Sequence, residues 1–292
     1  MNEGYRDRSR TGPEARGSSL LAWLAGAFTH TSADGWAERV ASGEVEVDGE
    51  RVTTDAPLRP GQTVIWSRAP WEEPAVPLHF DVLYEDADLL AVNKPSGLPT
   101  APAGGFLDHT LLTQVRKRWP DASPMHRLGR GTSGVVLFGL TPMARAAVQL
   151  AWRDGRVTKV YRARIEGEPK WAERTIEAPI GPVAHPKLGE VFAASADGKP
   201  ATSHLMVVGP GLLDVVIETG RPHQIRIHAA YAGHPLLGDP LYGIGGVPRS
   251  DALPGDLGYL LHAWKLGIAH PGTGERLEIA APLPENLVSA ER

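Results

Sequence analysis

An α+β fold with a mostly antiparallel sheet is predicted, and three observations predict it. From residue 80 onward, short β patterns outnumber helical ones. The few helical stretches do not alternate with strands in βαβ order. The most apolar segment, Val135-Val136-Leu137-Phe138, is a continuous run that suits a strand buried on both faces.

The elements follow in order. Residues 1–17 are polar and arginine-rich, show no apolar periodicity, and are predicted to be disordered. Ser18 or Ser19 caps a helix carrying Leu20, Leu21, Trp23, Leu24 and Phe28. A second helix is expected over residues 32–42, ended by Gly43. Val45 to Val52 alternates around Asp48-Gly49, a strong hairpin signal because both turn positions need positive φ. A further strand follows within residues 58–66. Residues 69–78, with three prolines, read as a stiff linker. Strands are then expected at 82–84, 89–93, 134–141, 159–166, 201–208, 212–219 and 266–270. Helices are expected at 110–118, at 142–153 with Pro142 in the first turn, and from about His223 to Gly233. The predicted organisation is a tail (1–17), a small module (18–68), the linker (69–78) and a large domain (79–287).

The 292 residues have an ordinary globular composition, 42% hydrophobic and 22% charged. A net charge of -4 excludes a protein that is basic throughout, but not one with a local basic stripe for phosphates. With no cysteine there is no disulfide, thiolate metal site or cysteine nucleophile, and a reducing, cytoplasmic location is expected. No apolar run reaches about 18 residues, so no membrane span is expected. Residues 20–28 read as a core helix rather than a signal peptide. His126, His223, His228 and His234 lack metal-ligand spacing, so neither metal nor cofactor is expected.

Four segments carry chemistry. His126-Arg127-Leu128-Gly129-Arg130-Gly131-Thr132-Ser133-Gly134 places two arginines on a glycine-marked turn at the mouth of the buried strand. Gly220-Arg221-Pro222-His223-Gln224-Ile225-Arg226-Ile227-His228 leads from a strand into a helix start, where free N–H groups favour anions. Lys159-Val160-Tyr161-Arg162-Ala163 offers an aromatic face on a strand. Asn93-Lys94-Pro95-Ser96-Gly97-Leu98 is a strand-ending turn, with turn and substrate contact both open as its role.

Together these segments resemble the signatures of the RluA-type RNA pseudouridine synthases, over about residues 80–285, and the resemblance implies that family's fold, a mixed, mostly antiparallel sheet with a central cleft. Residues 18–68 are similar to the small S4 RNA-binding module, although Glu38, Glu44, Glu46, Asp48 and Glu50 outnumber Arg39 and Arg51 there. The resemblance implies isomerisation of uridine to pseudouridine in structured ribosomal or transfer RNA, by C1′–N1 cleavage and C1′–C5 rejoining, with no cofactor and by a monomer. It implies catalytic roles for Tyr161 and Arg226. It implies RNA contact by His126, Arg127, Arg130, Thr132, Arg221, His223 and Gln224, with Arg127 supporting the flipped-out base. The family's catalytic aspartate falls on Gly129, which has no side chain. Arg226 thereby loses its expected counter-ion and must find another carboxylate, solvent or a phosphate. Three readings stand: an active isomerase in which Glu218 or Asp239 supplies the carboxylate; a catalytically inactive RNA-binding homologue in RNA folding or ribosome assembly; and a pocket for a small phosphorylated ligand, or a scaffold.

Overall fold

The computed structural model describes residues 1–29, 31–252 and 257–289. They form two compact units, Met1–Glu73 and Pro74–Arg292, which divide within the proline-rich linker.

The first unit carries strands β1 (Tyr5–Arg10), β2 (Val45–Val47), β3 (Glu50–Val52) and β4 (Thr63–Arg68), and helices α1 (Leu20–Ala27) and α2 (Ala33–Ala41). Its antiparallel sheet runs β1-β4-β2-β3. Ser19 and Ser32 cap the helices by accepting the N–H of Ala22 and Gly35. The hairpin turn has positive φ at both Asp48 (53°) and Gly49 (87°). Leu20, Leu24, Trp36, Val40, Val45 and Val64 fill the core.

β1 corrects the expectation of a disordered tail. It pairs with β4 along its whole length, from Tyr5 opposite Arg68 to Arg10 opposite Thr63. Arg6, Arg8 and Arg10 all stay exposed. The strand is held by main-chain hydrogen bonds and an Arg6–Glu46 ion pair at 3.0 Å, so it has no apolar alternation to betray it.

The second unit is built on β5 (Asp81–Glu85), β6 (Leu89–Lys94), β7 (Ser123–Pro124), β8 (Ser133–Gly139), β9 (Thr158–Arg164), β10 (Glu173–Ile176), β11 (Ile180–His185), β12 (Gly189–Ala194), β13 (Ser203–Gly209), β14 (Leu212–Ile217), β15 (Leu261–Ala269) and β16 (Arg276–Ala280). Its helices are α3 (Leu111–Arg116), α4 (Pro142–Arg153) and α5 (Gln224–Tyr231). The main sheet runs β10-β13-β14-β9-β15-β8-β6-β5, with β16 beside β15 and β7 beside β8. Among the described residues, only the β15–β8 contact is parallel, so the sheet is mixed and mostly antiparallel. β11 and β12 form a separate hairpin.

β8 is sandwiched as its composition requires. Val135 and Leu137 enter one core, with Ala144 and Val148 of α4, while Val136 and Phe138 enter another, with Leu111 and Val115 of α3. β15 begins five residues earlier than the pattern at 266–270 suggests, because His262 and Ala263 pair with both β8 and β9. That central position brings the segment containing Gly129, Tyr161 on β9 and the start of α5 to the same end of the sheet.

Candidate active site

A cavity of about 430 Å3 opens there, within the usual range of small-molecule sites, roughly 300–1,000 Å3. It is lined by Gly129 with Arg127, Arg130 and Thr132, by Tyr161, by Arg221, His223, Gln224 and Arg226, and by the loop of residues 99–103. Three separated segments thus converge as expected.

The segment around Gly129 is rigidly splinted. Lys94, fully buried, donates from Nζ to the carbonyls of Leu98 (2.7 Å), Pro95 (3.0 Å) and Arg130 (3.3 Å). Ser96 Oγ donates to the Gly131 carbonyl at 2.7 Å, and Thr100 Oγ1 donates to the Leu128 carbonyl at 2.9 Å. The Asn93–Leu98 turn therefore acts on the site by holding the neighbouring loop. Buried polar groups satisfied in this way fix one geometry. Thr132 N–H closes a turn onto the Gly129 carbonyl at 3.0 Å, and Thr132 Oγ1 lies 3.1 Å from the hydroxyl of Tyr259.

Tyr161 lies on β9 between Val215 of β14 and Ala263 of β15. Burial pushes its hydroxyl up to about 12, so the phenol is neutral at physiological pH. It offers a stacking face and a protonated hydroxyl rather than a ready-made base.

Arg226, 2% exposed, finds its carboxylate in Asp239. Nε donates to Oδ2 at 2.7 Å and Nη2 to Oδ1 at 2.8 Å, a bidentate pair. The guanidinium also sits over the rings of Tyr259 (4.2 Å) and Tyr242 (5.0 Å). Asp239 Oδ1 further accepts the N–H groups of Leu241 and Tyr242. Asp239 is thus committed to structure and is not among the residues that line the cavity.

Three expectations change. Glu218 does not line the cavity; its side chain is 61% exposed and meets His204 Nε2 at 2.8 Å. The sequence neighbourhood suggested it, but the end of β14 carries it outward. His126 also lies off the lining: its Nε2 accepts the Leu137 N–H at 3.0 Å and its ring stacks on Trp152 at 4.9 Å. It fixes the entry to β8 rather than facing a ligand. Gln224 lines the cavity but is 3% exposed, and both ends of its amide are engaged, by Thr219, Arg221, Thr202 and Ser203. It holds the start of α5, where His223 adopts a left-handed φ of 56° and its Nδ1 meets the Tyr242 hydroxyl at 2.7 Å.

Sequence reasoning missed the loop 99–103 and Tyr259, both without charge or periodicity to mark them. Among the described residues, no aspartate or glutamate lines the cavity. Among the described residues, no group of three histidine, aspartate or glutamate side chains is placed to hold a metal. No described helix is long and apolar enough to cross a membrane.

Two histidines, His126 and His262, give the unit a pH signature. Burial, with the Lys159 charge nearby, pushes His126 down to about 4, and burial pushes His262 down to about 4 as well. His262 Nδ1 is bonded to Ser133 Oγ at 2.8 Å, where β15 meets β8. Between the ordinary 6.5 and about 4, the unfolded chain takes up protons that the folded chain refuses. Their contribution is therefore complete above pH 6.5 and is lost as pH falls toward 4, by up to roughly 3 kcal/mol per histidine. Denaturant midpoints measured across this window should fall with acidification, and His126→Gln should flatten the slope. An unchanged slope in that variant would contradict the assignment.

Comparison with known proteins agrees with the geometry. A sequence profile described as RNA pseudouridylate synthase matches residues 88–231. An uncharacterised RNA pseudouridine synthase of Synechocystis is 42% identical over 93% of this chain and 96% of its own. RNA pseudouridine synthase 5 of rice is 38% identical over 100% of this chain and 90% of its own. Ribosomal large subunit pseudouridine synthase D of Vibrio parahaemolyticus is 32% identical over 94% and 90%. The solved structure of human RNA pseudouridylate synthase domain containing 1 superposes with a TM-score of 0.56 at 29% identity, covering 73% of this chain and 87% of that one. With four signature segments, three of them around one cavity and the fourth bracing it, the chain belongs to the RluA-type family of RNA pseudouridine synthases.

Proposed function

We propose that the cavity receives one uridine, flipped out of a structured ribosomal or transfer RNA, and isomerises it to pseudouridine. The observation that carries this reading is the convergence of Tyr161, Arg226 and the two arginine-bearing segments on one nucleoside-sized hollow. Tyr161 stacks on the uracil. Arg127, exposed at the rim, fills the vacated stack or grips the flanking phosphates. Arg130 and Arg221 add positive charge to the lining. Within the S4-like first unit, the arginines exposed along β1 are the candidate phosphate contacts.

The reaction breaks C1′–N1, turns the uracil and joins C5 to C1′. Cleavage calls for a group that attacks C1′ or takes a proton from C2′. Position 129 supplies no side chain for either step. Turnover in this chain is therefore limited by that position, while uridine binding is not. The competing reading is an RNA-binding homologue that holds uridine without converting it.

Tritium release from RNA labelled at uridine C5 separates the two. Release above the protein-free rate supports isomerisation. RNA binding that falls steeply with salt, without release, supports the second reading. A flat salt response would contradict both. In whichever form of the protein releases tritium, Tyr161→Phe should keep RNA affinity and lower the rate by about 10²–10⁴, the usual worth of a positioned proton-transfer group. Tyr161→Ala should also weaken binding by about 1–3 kcal/mol. An unaltered rate in the phenylalanine variant would assign the tyrosine to stacking alone.

A further inference from the structure

We propose that the open face of the first unit's sheet is a second RNA site, at which the arginines of β1 hold the phosphate backbone of one RNA strand. The proposal rests on the reading of the chain as one that acts on RNA, and it concerns the first unit alone. Strand pairing defines the face, because residues directly opposite each other in an antiparallel sheet point to the same side. Arg8 lies opposite Ile65, Ile65 opposite Glu46, and Glu46 opposite Arg51, so these four form one row across the sheet. Arg6 and Arg10, two residues to either side of Arg8, share its face, opposite Ser67 and Thr63 of β4. The other face carries Val45, Val64 and Trp66 into the core with Leu20 and Leu24 of α1 and Trp36 of α2. The arginines therefore stand on the side of the sheet turned away from the helices.

The face has more positive charge than its own carboxylates neutralise. Glu46 is taken by Arg6, whose Nη2 meets both of its oxygens at 3.0 Å. Asp48, at the end of the sheet, accepts the Thr63 N–H at 2.8 Å and Gln62 Nε2 at 2.9 Å. Among the described residues, neither Arg8 nor Arg10 forms an ion pair. Arg10 Nε donates to the Gly61 carbonyl at 3.3 Å, which orients the guanidinium without neutralising it. An open hollow of about 370 Å3 lies at this place, lined by Arg8, Ser9, Arg10, Gly61 and Thr63. Strand geometry sets alternate residues roughly 6.8 Å apart, close to the step between neighbouring phosphates of an RNA strand. One strand lying along β1 thus meets a guanidinium at successive phosphates, whose oxygens suit its paired N–H donors. The hydroxyls of Thr63 and Ser67 are further donors to phosphate. Contacts of this kind bind the backbone and carry no sequence information.

The test is the affinity of the full chain for a fluorescent ribosomal RNA fragment, measured by anisotropy across salt concentrations. Arg8→Gln with Arg10→Gln should weaken binding on the order of tenfold per arginine at about 0.1 M salt, and lower the slope of log Kd against log salt by about 0.7–0.9 per arginine. The loss should be the same for RNAs of unrelated sequence. Arg8→Lys with Arg10→Lys should keep most of the affinity, because the charge stays. Arg153→Gln, which removes an exposed charge from α4, should leave affinity and slope nearly unchanged. An equal loss in Arg153→Gln, or an unaltered slope in the double glutamine variant, overturns the proposal. If that double variant self-associates while its RNA affinity holds, the arginines serve to guard an edge strand instead. If polyglutamate binds the chain as tightly as RNA and loses its hold in the same variant, the face takes an acidic protein and the proposal fails. Tyr161→Ala separates this site from the cavity. Weaker binding in Tyr161→Ala with none lost in the arginine variant leaves the uridine reading standing and removes the face. The reverse pattern keeps the face and removes the uridine reading, and no RNA binding by the unaltered chain removes both.

Discussion

Gly129→Asp should raise single-turnover isomerisation of RNA uridine by at least about a thousandfold. Loss of an enzymatic nucleophile costs on the order of 10⁴–10⁶ in rate, and restoring one in surroundings that have adapted to its absence recovers part of that range. The surroundings are otherwise assembled. The loop bearing Gly129 is pinned by Lys94, Ser96 and Thr100, so a new side chain would be delivered from a fixed backbone. Arg226 is already held at the cavity wall by its bidentate pair with Asp239. Tyr161 lies on the same wall with its ring available for stacking. Tritium release from C5-labelled ribosomal and transfer RNA measures the gain directly. A variant that folds, binds RNA and gains nothing would mean that the cavity no longer places C1′ near residue 129.

Much of this was legible because it is local. The Asp48-Gly49 turn, the Pro142 start of α4 and the unbroken apolar run of β8 each state their structure within a few residues. Two of the strands that escaped notice have side chains that carry little of the energy. β1 is an arginine-rich edge, and β12 keeps one buried residue, Ala193, in six. The site divides in the same way. Tyr161, Arg226, Arg127 and Arg221 could be found from their motifs, and they do meet. The demand of Arg226 for a substitute counter-ion was also evident, but sequence could not choose between Glu218 and Asp239. The choice depends on tertiary placement: β14 ends with Glu218 directed to His204, whereas the turn after α5 folds Asp239 back under the helix. The splint from Lys94 spans thirty-six residues to Arg130, a separation at which pattern is silent.

Asp239→Ala should destabilise the second unit by about 3–5 kcal/mol, the usual cost of removing one member of a buried ion pair. Arg226 and Asp239 have side chains only 2% and 1% exposed, so water cannot take over the vacated position without opening the fold. Loss of the carboxylate also leaves the N–H groups of Leu241 and Tyr242 without the oxygen they share. The cation–π contacts with Tyr242 and Tyr259 remain, but they are worth only about 2 kcal/mol when desolvated. Asp239→Asn should cost less, because its amide oxygen can still accept those N–H groups while the charge is lost. The double change Arg226→Met with Asp239→Leu tests the cause. Replacing a buried pair by apolar groups of similar size is often neutral, so the double variant should recover most of the denaturant midpoint. It should not recover uridine recognition, since the cation at the cavity wall is gone. A loss below about 1 kcal/mol in Asp239→Ala would show that Arg226 reaches solvent or another anion. In that case the bidentate pair would not be what holds Arg226 in the cavity wall.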